Sequence, residues 1–338
     1  KPVVAKADFL AGNPRSVERI GVVLAGTDDL GRADSAPVRR LVPDWVYAIH
    51  QAPLEGIPRI AVSNPPQPGG VGTITAALGQ FQGRERLVEL LDQGPFVLDP
   101  VLVRGLDRVV VRAAKGIQPL VIARGDASTT SRGLLNLEGG VLELEGLHLL
   151  VMSPKESPPQ SVFSVSAGTL VLRRCTVTQA ADSGPMVICS AANDPVKPFP
   201  PRILIEDSLL RGRHLTAASA RGGEIDVILG GTLIAAGAGP AISAEVLPPS
   251  DTNGSEVGAG TNPAAPASGG EPAAPPAPRS AIRLLGSICA TSGVAISLKQ
   301  PSGKSIAPCD IMLRRSICVG GESATLLDLP EWPIRPSS

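Results

Sequence analysis

Apolar and polar residues alternate in a short phrase that recurs between residues 134 and 329. A period of two is the pattern of a strand with one buried face. Successive copies begin roughly 28–34 residues apart, with one longer gap, which is within the range of known repeat proteins. The copies begin at Val141, Thr169, Arg202, Ala281 and Asp310, and a looser copy begins near Ile225.

Each copy contains three short apolar runs. The first is the alternating phrase itself, as in Thr169–Cys175, and the second follows two or three residues later, as at Leu209-Leu210. The third comes after a corner rich in Gly or Ser, as at Met186–Ile188. No segment long enough for a crossover helix separates the runs, so these are not βαβ units. A single coil cannot bury its own apolar face, so the pattern predicts an all-β parallel solenoid with three short strands per coil.

The repeat resembles the right-handed parallel β-helix of the pectin-lyase-like superfamily over roughly residues 63–330. Gly72–Leu78 is similar to the helix that commonly caps such domains, and Arg86–Phe96 and Leu102–Arg112 resemble their first two strands. The resemblance implies a right-handed β-helix with an N-terminal capping segment. It implies no activity, because this fold carries lyases, hydrolases, adhesins and inert scaffolds.

The repeat divides the chain into three parts. Residues 1–62 do not fit it and are interpreted as an N-terminal extension or cap, with a linker from a preceding domain as the alternative. Residues 63–330 form the predicted β-helix, and residues 331–338 form a C-terminal tail. Within the β-helix, residues 248–280 are rich in Pro, Ala, Gly and Ser and have little apolar bulk, so we expect a loop between two coils.

Short apolar runs in the N-terminal part suggest strands at Asp44–His50 and Arg59–Val62. Trp45 and Tyr47 lie in this part, and Trp332 lies near the other end of the chain. Because the open ends of a solenoid invite edge-to-edge aggregation, we expect both aromatic ends to pack as caps.

Charge and hydropathy exclude two classes of partner. Lys plus Arg number 31 and Asp plus Glu number 31, so the chain lacks the basic surface that nucleic acids or acidic lipids require. Val227–Ala244 carries no charge, but its glycines and Pro240 indicate two small-residue strands and a corner instead of a membrane span. The chain opens with Lys1, which suggests part of a larger bacterial protein, and an extracytoplasmic or cell-surface location is favoured.

The outward positions of the first strand of each coil form two columns. The first column is too apolar to line a polar cleft, whereas the second begins with alternating charges. The first column contains Glu143, Val171, Leu204, Arg283 and Met312. The second contains Glu145, Arg173, Glu206, Leu285 and Arg314.

Glu145, Arg173 and Glu206 have two interpretations. Stacked coils lie about 4.8 Å apart, so the three side chains are expected to form a solvated charge ladder. Alternatively, the two carboxylates lie roughly 9–10 Å apart, at the outer limit for an inverting glycosidase. Asp207 is a further candidate, and Glu224 and Asp226 are weaker ones. The catalytic motifs of the superfamily's hydrolases and lyases are not matched, and Ca²⁺ is expected only if the chain is a lyase.

Other chemistry-bearing residues give little support for a cofactor or metal site. The three His residues are far apart and lack metal-ligand spacing. The chain has five Cys residues, an odd number that cannot all form disulfides within the chain, and we interpret them as buried thiols. Phe163 and Phe199 are the only aromatic residues between Phe96 and Trp332, which disfavours tight carbohydrate binding along the coils.

Three functions follow from these patterns. The first is a non-catalytic β-helix module that acts as a structural, display or binding scaffold, with protein or carbohydrate partners. The second is a polysaccharide lyase or glycoside hydrolase, which requires carboxylates that converge in a groove on one strand face. The third is a protein-assembly surface that uses the outward apolar residues Val171, Leu204 and Met312.

Overall fold

The structure is a computed structural model of the chain. It describes residues 23–24, 42–79, 85–105, 107–124, 133–155, 160–194, 196–197, 199–237, 239–245, 280–299, 309–320 and 325–328. These residues form an all-β fold of long parallel sheets with two short helices.

The helices are α1 (Asp44–Gln51) and α2 (Ile74–Gly79), and α2 lies where a capping helix was predicted. The strands are β1 (Val23–Leu24), β2 (Arg59–Val62), β3 (Glu85–Leu90), β4 (Phe96–Leu98), β5 (Val101–Val103), β6 (Arg108–Ala113), β7 (Leu120–Arg124), β8 (Leu135–Glu145), β9 (His148–Met152), β10 (Gln160–Arg173), β11 (Thr176–Gln179), β12 (Met186–Ala192), β13 (Pro201–Glu206), β14 (Leu209–Gly212), β15 (Leu215–Arg221), β16 (Asp226–Gly230), β17 (Leu233–Ala236), β18 (Ile242–Glu245), β19 (Ser280–Leu285), β20 (Ile288–Thr291), β21 (Val294–Lys299), β22 (Cys309–Arg314), β23 (Ile317–Gly320) and β24 (Thr325–Asp328).

The strands stack in three parallel columns. From β13 onwards, each strand pairs with the strand three places later in the chain, so every coil supplies one strand to each column. The long strands β8 and β10 join columns 1 and 3 into one sheet. This arrangement is that of a β-solenoid. Column 1 contains β3, β6, the C-terminal halves of β8 and β10, β13, β16, β19 and β22; column 2 contains β4, β7, β9, β11, β14, β17, β20 and β23; column 3 contains β5, the N-terminal halves of β8 and β10, β12, β15, β18, β21 and β24.

The inward side chains of the three columns form one continuous apolar core. The alternating phrases bury their two apolar residues, as predicted, except that Leu313 of the last copy is only partly buried. Leu170 and Leu172 in β10 and Ile203 and Ile205 in β13 have no exposed surface. Phe163 is also buried, at 1% exposure. Burying a side chain of this size contributes about 1.5–3 kcal/mol, so the stack of coils is stabilised mainly by this column of aliphatic residues.

A residue with left-handed backbone geometry ends most column 1 strands and starts the turn into column 2. Arg174, Asp207 and Arg315 occupy this position with φ of 52°, 47° and 50°. Gly231 and Gly286 occupy it in two other coils, with φ of 56° and 61°. Glycine adopts this geometry without steric cost, and the other residues adopt it at a cost of about 1–2 kcal/mol.

A small polar side chain follows each of these turn residues and bonds to the coil beneath it. Ser208 Oγ lies 3.5 Å from the Leu172 carbonyl and accepts a 3.1 Å hydrogen bond from the Cys175 amide. These bonds satisfy backbone groups that the tight turn would leave buried and unpaired. The same position explains why every copy of the recurring phrase except the first, which ends in Leu147, ends in Cys, Ser or Thr. Its members are Cys175, Ser208, Thr232, Ser287 and Ser316.

The N-terminal part differs from the prediction at one element. Asp44–His50 was predicted to be a strand but belongs to helix α1. Its two buried residues, Val46 and Ile49, are three positions apart, which is helical spacing, and the acidic Asp44 lies in the first turn where it favours the helix dipole. The predicted strand at Arg59–Val62 is confirmed as β2.

The elements of the N-terminal part contact both ends of the solenoid. β2 pairs with β3 at the first coil, and Val62 also forms a bridge with Val71. β1 pairs in parallel with β22, so Val23 and Leu24 extend column 1 beyond its last coil. The expected capping by Trp332, the tail at residues 331–338 and residues 248–279 of the predicted loop lie outside the described residues.

The uncharged segment Val227–Ala244 contains parts of three strands, β16, β17 and β18, where the sequence indicated two. The turn between β16 and β17 contains only Gly231 and Thr232, so the apolar pattern of the sequence did not separate these two strands. None of the helices in the described part of the chain has the length and apolarity needed to cross a membrane.

Candidate functional site

Helix α1 covers the outward apolar stripe of column 1. Val46 and Ile49 pack against Val171, Leu204 and Ile228, and all five side chains are at least 92% buried. Val171 and Leu204 are therefore not exposed, whereas Met312, the third residue of the predicted assembly surface, is partly buried and lies outside this group. The protein-assembly surface stays a prediction.

Strand register places the two outward columns in the predicted order. In the first column, Val171 lies between Glu143 and Leu204, and Ile228 is inserted before Arg283. In the second column, Arg173 lies between Glu145 and Glu206. The looser copy near Ile225 thus has a fixed register, with Arg202 opposite Asp226.

Glu143 lies at the centre of a buried ion cluster beside the stripe. Its side chain is 2% exposed, and Arg108 Nη2 lies 3.1 Å from Oε2 while Arg173 Nη1 approaches Oε1. Two guanidinium groups therefore neutralise one buried carboxylate, which is the arrangement that makes burial of a charge tolerable. The sequence placed Glu143 in this column but did not predict its ion pairs, because its partner Arg108 lies 35 residues away in the chain.

The same cluster holds the C-terminal end of α1. Arg173 Nε lies 3.2 Å from Glu206 Oε2, and His50 Nε2 lies 2.8 Å from the same oxygen. Arg108 Nη1 donates to the carbonyl of Ala52 at 3.1 Å, just beyond the helix. Cations near the last carbonyls of a helix stabilise it.

The other end of α1 is held through Trp45. Its Nε1 donates a 3.2 Å hydrogen bond to Asp226 Oδ2, and Arg283 Nη1 lies 3.0 Å from Asp226 Oδ1. The Arg202 guanidinium carbon lies 5.4 Å from the centre of the Trp45 ring, within the range of a cation–π interaction. Trp45 thus packs on the side of the solenoid and not over its end.

The four candidate catalytic residues do not form an open acid cluster in this arrangement. Arg173 and Glu206 belong to the ion cluster under α1, whereas Glu145 pairs with Arg174 at the surface. Asp207 is the left-handed turn residue at the end of β13. The order of the predicted ladder is present, but Arg173 pairs with Glu143 and Glu206 instead of Glu145. The catalytic role of these residues stays a prediction.

A second surface was not predicted from the sequence and lies on the outward face of column 3. It is a groove of about 580 Å³ whose floor is a ladder of aligned polar side chains. Successive rungs lie about 4.8 Å apart, so the ladder extends over roughly 24 Å. Its members, paired rung by rung, are Asn136, Ser164, Ser190, Ser219, Ser243 and Ser297, of which Ser297 is buried and does not line the groove.

Charged side chains line the rim of the groove in pairs of opposite sign. Lys197 Nζ lies 3.4 Å from Glu138 Oε1, and Arg221 Nε lies 3.3 Å from Glu245 Oε2. Lys299 lies opposite Glu245 in the next coil. Three acidic residues (Glu138, Asp194, Glu245) and three basic residues (Lys197, Arg221, Lys299) line the groove, so its formal charges cancel.

The loop between β12 and β13 forms one wall of the groove. The amide of Val196 donates to Asp194 Oδ1 at 3.2 Å, which forms a tight turn. From this turn Lys197 reaches the floor of the groove and donates a 2.9 Å hydrogen bond to Ser166 Oγ. The described residues of this loop also present Val196 and Phe199 to solvent, with exposures of 89% and 61%.

A recurring serine triplet in the sequence marks the ladder. In the third strand of the five coils from β10 to β21, a serine lies between two small or apolar residues, as in Cys189-Ser190-Ala191 and Ile242-Ser243-Ala244. The triplets become visible as a ladder only once the register of column 3 is known. Strand β15 has no bulky apolar residue after Leu215, so the apolar pattern did not reveal its copy of the triplet at Ser219.

The described residues give no support for a multidentate metal centre. Within the described ranges, no group of three or more His, Cys, Asp or Glu side chains could hold a metal ion. A comparison with protein-family models gives no match, and a comparison with curated proteins gives none.

Proposed function

We propose that this chain is a non-catalytic, right-handed parallel β-helix module of the pectin-lyase-like kind that binds an extended, uncharged, hydroxyl-rich polymer. The binding surface is the groove on column 3. The observation that carries this proposal is the ladder of serine hydroxyls on its floor. The module would act as a binding and display scaffold within a larger bacterial protein.

The chemistry of the ladder suits a polysaccharide chain. A serine hydroxyl both donates and accepts hydrogen bonds, as sugar hydroxyls do. Ser164, Ser190, Ser219 and Ser243 are partly exposed and project from one face at a regular spacing, so a chain that lies along the solenoid axis can meet one hydroxyl per coil. Such a repeat favours an extended ligand over a compact one.

The charges of the groove favour a neutral chain. Lys197 and Arg221 each lie beside a carboxylate, so neither is free to hold an acidic sugar. None of the described residues that line the groove is aromatic, so sugar stacking contributes little there. We therefore expect moderate affinity that depends on hydroxyl contacts.

The carboxylates of column 1 support a binding role over a catalytic one. Glu143 and Glu206 are both engaged with arginines beside α1, and Glu143 is almost completely buried. A glycosidase needs two carboxyl groups that flank an open substrate site. In the described part of the chain, these candidates lie on a different column from the groove.

Binding should be measured by isothermal titration calorimetry against neutral glucans, xylans and mannans and against polyuronates. A variant with Ser190→Ala, Ser219→Ala and Ser243→Ala should bind the neutral ligand at least about tenfold more weakly, because three hydrogen bonds are lost. Thr176→Ala removes an outward hydroxyl from column 2 and should bind like the parent.

New reducing ends and unsaturated products should be followed in the same mixtures, with and without Ca²⁺. We expect none. If the parent chain cleaves a polysaccharide and Glu145→Gln or Glu206→Gln abolishes the cleavage, the chain is a polysaccharide-cleaving enzyme and not a non-catalytic binding module. If the variant with the three Ser→Ala substitutions binds as tightly as the parent, the groove is not the binding surface.

A further inference from the structure

Two cysteines occupy adjacent rungs of column 2. Cys289 in β20 and Cys318 in β23 are direct Cα partners, and their side chains are hydrogen-bonded to each other. Neither forms a disulfide bond. By contrast, Cys189 lies opposite Phe163 and Ala218, and Cys309 lies opposite Ser280.

The pair lies at the boundary between core and solvent. Cys289 is 1% exposed and belongs to the main apolar core, with Ile234 on the rung below it. Cys318 is only partly buried and packs against the same core. An ion or reagent can therefore reach the pair through Cys318.

The spacing of the rungs suits a bridging ion better than a direct sulfur–sulfur bond. Paired residues of neighbouring strands lie about 4.8 Å apart. A disulfide accepts Cα atoms about 4.4–6.8 Å apart but requires Cβ atoms about 3.5–4.5 Å apart. Side chains that project in parallel from neighbouring rungs keep the rung spacing, so a disulfide would require the two Cβ atoms to approach each other by a few tenths of an ångström. Two metal–sulfur bonds of about 2.3 Å placed in line span roughly 4.6 Å, which matches the rung spacing.

We propose that Cys289 and Cys318 form a two-coordinate site for a soft, thiophilic cation of the Cu⁺ and Hg²⁺ class. Soft thiolate ligands select such ions over harder ones. On binding, two S–H bonds break, two protons pass to solvent and two metal–sulfur bonds form, with no change of oxidation state.

The surroundings exclude the ions that need more ligands. Structural zinc sites require four ligands, and no cluster of three or more ligating side chains occurs among the described residues. The hydrogen bond with Cys318, together with burial, raises the pKa of the Cys289 thiol far above its ordinary value. Only a cation with high affinity for thiolate can displace that proton near neutral pH.

The site should be tested on the reduced, full-length chain without oxygen. Cu⁺ is titrated in competition with a chromogenic chelator, and Hg²⁺ in competition with a small dithiol. We expect one tightly held ion per chain. X-ray absorption should show two sulfur neighbours near 2.2–2.3 Å, the length of a metal–thiolate bond.

Matched serine variants separate the pair from the other thiols. Cys289→Ser and Cys318→Ser should each lower the affinity at least tenfold, whereas Cys309→Ser should retain it. If Cys289→Ser does not fold, prior alkylation of the partly exposed Cys318 in the parent chain provides the same test.

Two results would overturn the proposal. The first is retention of the ion by both serine variants or by the alkylated chain, or no ion held against the chelators. The second is a Cys289–Cys318 disulfide formed readily with oxidised glutathione, which would show that the strands approach closely enough for direct bonding.

Discussion

The indole Nε1 of Trp45 donates a 3.2 Å hydrogen bond to Oδ2 of Asp226, a residue 181 positions further along the chain. This bond joins the N-terminal helix to the middle of the solenoid. Together with Val46 and Ile49, it makes residues 42–53 part of the folded body and not a separate tether.

Trp45→Ala should lower the free energy of unfolding by about 2 kcal/mol, because it removes packing on column 1, the bond to Asp226 and the contact with Arg202. Urea unfolding followed by circular dichroism measures the change. Tyr47→Ala is the control on the same helix, since Tyr47 is 43% exposed, and it should change stability by less than about 0.5 kcal/mol. Equal losses for the two variants would contradict the docked position of Trp45.

Glu143→Gln should destabilise the chain by about 3 kcal/mol, because the buried Arg108 would be left without a carboxylate partner, whereas Arg173 keeps Glu206. Thermal unfolding at constant pH and salt measures the loss. Glu145→Gln removes a carboxylate from a surface pair with Arg174 and should have little effect.

Replacement of the buried carboxylate and its two guanidinium partners gives a second measurement. A variant with Glu143→Leu, Arg108→Met and Arg173→Met should recover much of the stability that Glu143→Gln loses, because it removes the buried charges and leaves only Glu206, which is partly exposed and keeps its contact with His50. If the triple variant were the least stable of the set, the cluster would have to stabilise the fold by more than the mutual neutralisation of its charges.

Ser208→Ala should cost about 1–3 kcal/mol, because the Cys175 amide would lose its buried acceptor. Ser208→Cys should cost less, since Cys175 occupies the equivalent turn position one coil earlier and its Sγ bonds to the Leu144 carbonyl. Hydrogen exchange of the Cys175 amide in the two variants tests this order. An unchanged rate in Ser208→Ala would show that the amide is protected by other contacts.

Stability should fall above pH 9 because burial raises the pKa of the Cys175 thiol from 9.0 to about 11. The thiol ionises first in the unfolded chain, so the unfolded state loses protons before the native state does. The stabilisation is complete below pH 9 and is lost between pH 9 and 11, by about 1.4 kcal/mol per pH unit for one group.

Cys175→Ala supplies the comparison for this pH effect. The stability difference between the parent and this variant should be constant below pH 9 and shrink towards pH 11. Guanidinium unfolding at half-unit pH intervals measures it. A difference that stays constant across this range would show that Cys175 does not ionise on unfolding.

The sequence predicted the coil pattern because period-two alternation survives in every copy, as in Leu170/Leu172 and Ile203/Ile205. It also predicted the order of outward residues in column 1. It did not predict that Asp44–His50 is a helix, because its packing surface is supplied by residues more than 100 positions away. The partner of Glu143 and the serine ladder were missed for a related reason: both are contacts between coils that depend on register.

The pairing of β1 with β22 bears on how the chain acquires its structure during synthesis. Val23 and Leu24 leave the ribosome long before Met312 and Leu313, their partners in register. Coils could otherwise assemble one after another as they emerge. Here β1 must wait for β22, so completion of the fold requires a contact of very high sequence separation and a correspondingly slow closing step.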